Sequence, residues 1–240
     1  MADDSTSVDL LGVRPIAQAV NTVTTGTMSG AAAFLSRICL PAAEEFGQLL
    51  ADKVRGWRAN NAQSVLAKAQ AKLQEQPDNE DRHAHPRIVG AILEHASWID
   101  DDKIQSMWAG LLASACTLDG ADQTNLIYTN ILSQLTSEEV RILNYSCENA
   151  KVVKSPPGWI MPAAQINVSV DELKKIVGTS DIHRIDLFLD HCREIGVLHA
   201  HAGFQPMLPV ADITPSALGL QLYVRGQGYV GSPSDYFGLN

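Results

Sequence analysis

A chain of 240 residues, 45% of them hydrophobic, carries enough apolar material for one large core or two modest ones, which excludes wholesale disorder. Its 18 Lys and Arg stand against 27 Asp and Glu, a formal net charge of −9. That balance disfavours general binding to a phosphate backbone, which needs clustered cations to release counterions.

Residues 1–9 are polar, and the acidic opening Met1-Ala2-Asp3-Asp4 is not followed by the apolar run of a secretory signal. From Pro15 to Ser36 there are 22 residues without a charge, about the length of a membrane span. Gly26 and Gly30 even stand in G-x-x-x-G spacing. Yet Gln18, Asn21, Thr22, Thr24, Thr25, Thr27 and Ser29 dilute the apolar residues. The stretch therefore reads as a soluble helix around Ile16, Val20 and Val23 and another around Phe34, Leu35 and Ile38. A membrane-active or self-associating segment over residues 15–36 is the alternative.

Pro41 then suits the first position of a helix, with Glu44 and Glu45 where the helix dipole favours carboxylates. Phe46, Leu50, Val54, Trp57, Asn61, Val65, Ala69 and Leu73 continue one stripe, predicting a rod of roughly 45–50 Å at 1.5 Å per residue. The polar run Gln74 to Asp81, with Pro77, reads as a loop.

A block of four helices follows. Pro86 opens one bearing Ile88, Val89, Ile92, Leu93 and Ala96. Asp100 or Asp101 caps the next, where Ile104, Met107, Trp108, Leu111, Leu112 and Ala115 form one broad apolar face. After the turn Leu118-Asp119-Gly120-Ala121, a third helix carries Leu126, Ile127, Ile131 and Leu135. Thr136-Ser137-Glu138-Glu139 is a capping box, opening a fourth with Val140, Leu143 and Cys147.

Ser155-Pro156-Pro157-Gly158 marks a domain boundary. Beyond it, Ser169-Val170-Asp171-Glu172 is a second capping box before a short helix with Leu173, Ile176 and Val177. A helix from Asp181 to Ile195 follows, with Gly196 as its C′ residue. Val197 to His201 and Phe204 to Val210 read as two short strands around Ala202-Gly203. Thr214-Pro215 is an N-cap and first-turn proline for a last helix with Leu218, Leu222 and Val224. Two helices, a hairpin and a helix outline a winged-helix module. The tail from Gly226 to Asn240, rich in Gly, Ser, Pro and Tyr, reads as flexible or laid on another surface.

Few residues suggest chemistry. The four cysteines, Cys39, Cys116, Cys147 and Cys192, lie far apart in predicted helices, which reads as reduced thiols in a cytoplasmic protein. His83 and His85 near Asp78, Glu80 and Asp81 match no metal-ligand spacing, and His199 and His201, with His183 or His191, are a weak set. Glu94 and His95 beside Ser97 tempt a hydrolase reading. Adjacent helical residues project about 100° apart, so the two cannot share a substrate, and Glu94 reads better as an ion-pair partner. No H-E-x-x-H, G-x-S-x-G or phosphate-cradling glycine run occurs. The Asp181–Ile195 helix carries Asp181, Asp186, Asp190 and Glu194 against Arg184 and Arg193, and residues 165–225 hold five cations and seven anions. A helix reading DNA would need the opposite balance.

The order of pieces resembles the bacterial abortive infection alpha family, which is tied to phage exclusion. The residues that carry the resemblance are Leu40-Pro41-Ala42-Ala43-Glu44-Glu45-Phe46-Gly47, Ile92-Leu93-Glu94-His95-Ala96-Ser97, Met107-Trp108-Ala109-Gly110-Leu111-Leu112-Ala113-Ser114-Ala115 and Ile131-Leu132-Ser133-Gln134-Leu135-Thr136. Ile213-Thr214-Pro215-Ser216-Ala217-Leu218-Gly219 adds a terminal piece. The resemblance spans Leu40 to Gly219 and implies a role in defence, through arrest or death of the infected cell, without catalytic residues to carry over.

The expectation is thus a mainly α protein: an uncharged N-terminal segment over 1–39, a helical bundle over 40–154 with one long N-terminal helix, a small winged-helix-like α+β module over 155–226, and a flexible tail over 227–240. It is expected to act without enzymatic turnover, as a defence sensor or adaptor working through protein contacts and self-assembly into a homo-oligomer. A membrane-disrupting effector using residues 15–36 and a winged-helix DNA-binding regulator are the alternatives. No catalytic, cofactor-binding or metal-binding residue, no cofactor and no small-molecule substrate is expected. The expected location is the cytoplasm, with membrane association on activation.

Overall fold

The helix that carries Trp108 lies at the buried heart of the protein. In the computed structural model, residues 55–76 and 81–239 are described, together with Gly30, Phe34, Arg37 and Ile38. The described chain is mostly helical, with two small antiparallel sheets.

Helix α1 (Arg55–Gln74) is built from Ala, Gln, Lys and Leu, all good helix formers. It buries Ala62, Val65, Leu66, Ala69 and Leu73. Only this later part of the expected rod falls within the described residues; residues 39–54 lie outside them, as does the stretch 15–36 apart from Gly30 and Phe34. Phe34 and Ile38 are themselves buried in the core, and the Ile38 carbonyl accepts the Ala84 N–H at 3.0 Å. One position on the expected stripe is displaced. Trp57 is 43% exposed, its ring 6.3 Å from that of Trp98, with the Arg58 guanidinium 4.1 Å over Trp98.

Helix α2 (Pro86–Ala96) buries Ile88, Val89, Ile92, Leu93 and Ala96, as its spacing predicts. Helix α3 (Asp102–Ala115) starts at Asp101, whose carboxylate accepts the Lys103 and Ile104 N–H groups. The six expected apolar residues of α3 are buried, and so are Gln105, Ala109, Gly110, Ala113 and Ser114. The small residues let neighbours close in on the remaining sides, so α3 is wrapped rather than merely faced. Ser64 and Lys68 of α1 reach the Gln105 amide oxygen at 2.6 and 2.8 Å, pinning α1 to the start of α3.

Helix α4 (Asn125–Leu132) departs from its predicted stripe. Its buried residues are Asn125, Tyr128, Thr129 and Leu132, whereas Ile127 is 58% exposed. The cause is polar: the Asn125 amide donates to the Leu111 carbonyl at 2.8 Å and to Ser114 Oγ at 2.9 Å, rotating that side of α4 inward. Helix α5 (Ser137–Asn149) opens on the complete Thr136/Glu139 capping box and buries Val140, Leu143 and Cys147.

Strands β1 (Val152–Lys154) and β2 (Ile160–Pro162) form a hairpin around Pro156-Pro157-Gly158, where the sequence indicated a break. Strand β3 (Asn167–Ser169) runs into helix α6 (Val170–Val177), which Ser169 caps and Gly178 closes at φ +81°. Helix α7 (Ile182–Glu194) begins at Asp181 and is followed by Gly196 at φ +80°, both as predicted.

The next hairpin is shifted from its expected position. Strand β4 is Gly203–Phe204 and β5 is Val210–Asp212, so the turn is Gln205–Pro209 and not Ala202-Gly203. Val197 and Leu198 donate their N–H groups to the Cys192 carbonyl, finishing α7, and Leu198 joins only an isolated bridge to Pro215. Strand β5 lies between β3 and β4, antiparallel to both, with Asp212 opposite Asn167 and Gly203.

Helix α8 (Ala217–Gly226) is capped by Ser216, not by Thr214. Thr214 is taken up elsewhere: its hydroxyl donates to Asp212 and accepts the Ile166 N–H. Helix α8 crosses back onto α3, and one continuous cluster of buried side chains runs from α1 to α8 through both halves of the chain. Residues 227–239, with the short helix α9 (Pro233–Tyr236), fold back so that Tyr229 and Phe237 stack edgewise on Tyr236.

Candidate functional site

The residues singled out for chemistry have structural occupations. Glu94 pairs with Arg58 at 3.1 Å, and Arg58 also donates to Ser97 Oγ at 2.9 Å. His95 turns away to stack on Trp108, ring centroids 5.8 Å apart and nearly parallel. Acid, base and hydroxyl therefore do not converge on one substrate. His85 is the N-cap of α2, accepting the Arg87 N–H, and His83 faces the Arg37 carbonyl at 3.1 Å. Asp78 and Glu80 lie outside the described residues. His199 and His201 stand 5.3 Å apart and exposed, while His191 is drawn to Glu139 at 2.6 Å. Among the described residues no three His, Cys, Asp or Glu side chains gather as metal ligands.

Cys147 and Cys192 are buried, and burial pushes both thiols far above their ordinary range; neighbouring Glu148 and Glu139 add to the effect. Such thiols are poor nucleophiles, since the thiolate is the reactive form. At pH 8 the native protein should resist alkylation by iodoacetamide at Cys147 and Cys192, with modification following the denaturation curve. Mass spectrometry after a brief pulse checks this, and rapid labelling in the absence of denaturant would refute it.

The surface of α7 is the second candidate. Arg184 pairs with Glu138 at 3.2 Å, and Arg193 pairs with Asp190 and donates to the Ala202 carbonyl at 2.8 Å. Asp186 and Glu194 have no ion-pair partner among the described residues, and Leu187 between them is 64% exposed. Helix α7 packs on β4, which leads to the turn bearing Met207, 92% exposed, and Leu208, also exposed.

The third candidate escaped the sequence reading. A cavity of about 450 Å³ opens between α3, α5 and α6, with Gln227 at its edge. Helix α5 lines it with Arg141, Asn144, Tyr145 and Glu148, the i, i+3, i+4, i+7 face opposite its buried stripe, and α3 lines it with Lys103, Ser106 and Met107. Lys175 and Ile176 of α6 close the side. These residues come from elements far apart in sequence, so no local motif announced them.

Fold and side chains together define a mainly helical protein with small antiparallel sheets, whose His83, His85, His95 and His191 and whose described cysteines serve the architecture, while His183, His199 and His201 are exposed. Its sequence relationship is more specific: a family model described as abortive infection alpha matches residues 58–206, more than half of the chain, and the protein belongs to that family. The central pieces around Glu94, Trp108 and Leu132 fall inside this span, while Leu40–Gly47 and Ile213–Gly219 fall outside it. No curated protein and no solved structure matches the chain.

Proposed function

We propose that this abortive infection alpha protein acts in phage defence by contact rather than by turnover, as a sensor or adaptor whose C-terminal module docks a protein. The order α5, β3, α6, α7, β4, β5, with β5 central in its sheet, reads as a winged helix. In that arrangement α7 stands where a DNA-reading protein would place its recognition helix. The observation that carries the reading is that both arginines of α7 are engaged within the protein, leaving Asp186, Leu187 and Glu194 outward. A duplex would be repelled by such a face, whereas exposed apolar side chains rimmed by polar ones suit a protein surface.

The Leu187→Asp and Met207→Asp variants should fold normally, because surface substitutions seldom change stability by more than about 0.5 kcal/mol. They are expected to abolish protection of cells against phage while leaving the circular dichroism spectrum and melting temperature in place. Full protection by both variants, or steeply salt-dependent duplex binding by the native chain, would count against docking through α7.

Self-assembly is part of the same reading. The exposed Trp57–Trp98 pair on the bundle supplies a second apolar surface for it. Among the described residues no helix is long and apolar enough to cross a membrane. Measuring the mass of the purified chain with and without detergent separates the possibilities. An oligomer without detergent supports assembly through the helices, a monomer in both conditions sinks it, and assembly only in detergent favours a membrane-disrupting effector using residues 15–36.

A further inference from the structure

We propose that the cavity between α3, α5 and α6 binds a small phosphorylated metabolite with an apolar ring, the chemistry of a nucleoside phosphate. Its volume of about 450 Å³ lies within the roughly 300–1,000 Å³ of small-ligand clefts.

Charge is the first reason. In a protein with a formal net charge of −9, Lys103, Arg141 and Lys175 line this one cavity against the single lining carboxylate of Glu148. The ammonium groups of Lys103 and Lys175 have no ion-pair partner among the described residues. Arg141 is loosely held: Asp101 and Glu138 stand at 3.8 and 3.9 Å, beyond hydrogen-bond length, and only the Val177 carbonyl takes a donor, at 3.1 Å. Three cations brought together from α3, α5 and α6 are suited to a phosphate.

The second reason is the rest of the lining. Asn144 brings a side-chain amide and Tyr145 an aromatic ring to the same wall of α5. Ile176 adds apolar surface against which a ring can lie, and Glu148 can accept from a sugar hydroxyl.

A bound ligand would bridge α3 and α5 to α6 and Gln227, joining the bundle to the C-terminal module. The site does not depend on docking through α7, because binding is measured on the purified chain alone.

Isothermal titration of the full chain with AMP, ATP, adenosine and inorganic phosphate tests it. AMP or ATP should saturate one site per chain, more tightly than adenosine or phosphate alone. The exposed lysines can be removed without disturbing the core, so Lys103→Ala/Lys175→Ala should keep its melting temperature and lose about tenfold or more in affinity, equivalent to about 1.4 kcal/mol. Arg141→Lys should retain part of the binding that Arg141→Gln loses. Absence of saturable binding below about 1 mM, a weak limit for a specific ligand, would overturn the proposal. Equal affinity in the double-lysine variant would do the same, and phosphate binding as tightly as AMP would overturn the organic part of the assignment.

Discussion

Replacing Gly110 by alanine should wrench α8 off α3 and destabilise the protein by about 3 kcal/mol or more, the upper end of what overpacking does to a core. A Cβ at Gly110 would land on the carbonyl of Gly226 and lie 2.9 Å from its Cα. Those are backbone atoms of a second helix, so no rotamer change relieves the clash. Helix α8 would have to retreat, and Leu220, Leu222 and Val224, all fully buried, would retreat with it. In a chain of this size that loss lowers the melting temperature by roughly 6–12 °C. Two controls make the origin clear. A Cβ at Gly226 meets the Met107 side chain, closest at its flexible Cε end at 3.1 Å, so Gly226→Ala should be much milder. At Gly56, in α1, nothing among the described residues lies within 4 Å, and alanine there should be neutral or stabilising by up to about 1 kcal/mol. Urea unfolding of the three variants ranks them, and a Gly110→Ala midpoint equal to that of Gly226→Ala would mean that the helices do not touch backbone to backbone.

Periodicity and capping chemistry carried much of this fold openly in the sequence. The stripes of α2, α3 and α5 needed only local spacing, and Asp101, Thr136 and Asp181 act as caps because each needs only its own next turn. Where a residue answers to something distant, local reading failed. Ile127 faces solvent because Asn125 is claimed by α3, and Thr214 is no helix cap because Asp212 and Ile166 claim it first. The hairpin slipped for the same reason: Gly203 pairs with Asp212, whose register is also fixed by Asn167 across the sheet. Small residues concealed the most. Gly110 and Ala113 look like gaps in an apolar stripe, and only the path of α8 turns them into a contact surface. The cavity was illegible for an allied reason, since Lys103, Arg141 and Lys175 are ordinary surface cations until three helices bring them together.

The same crossing of α8 over α3 joins the helical bundle to the C-terminal part of the chain. The module that presents Leu187 and Met207 is rooted in the bundle through α8, through the Ser146 hydroxyl donated to the Ile213 carbonyl at 2.6 Å, and through α6 against α5. The proposed partner on α7, or the proposed ligand in the cavity, would therefore act on buried contacts of the bundle. Such coupling would run through the contacts of α5 with α7, Glu138 with Arg184 and the buried Glu139 with His191.

Glu139→Ala is accordingly expected to destabilise the protein by about 2 kcal/mol, since it removes a buried side chain that completes a helix cap and bonds α7. The side chain is 1% exposed, at the third position of α5, where the helix dipole favours a carboxylate. One oxygen accepts the Thr136 N–H at 2.7 Å, completing the capping box; the other meets His191 Nδ1 of α7 at 2.6 Å. Alanine would orphan the Thr136 N–H, remove the tie to α7 and leave a void beside Cys192. Glutamine keeps the volume, and its amide can accept from Thr136 and donate to His191, so Glu139→Gln should cost only about 1 kcal/mol. His191 is 37% exposed, and its own removal should cost less than that of Glu139 because water replaces part of what it supplies. A double-mutant cycle between Glu139→Ala and His191→Ala, in which the lost capping box appears in both arms and cancels, should give a coupling of about 1 kcal/mol by urea denaturation. Strict additivity would show that the Glu139–His191 contact contributes nothing to stability, leaving α7 held by Arg184–Glu138 and by its buried Ile185, Leu189 and Cys192.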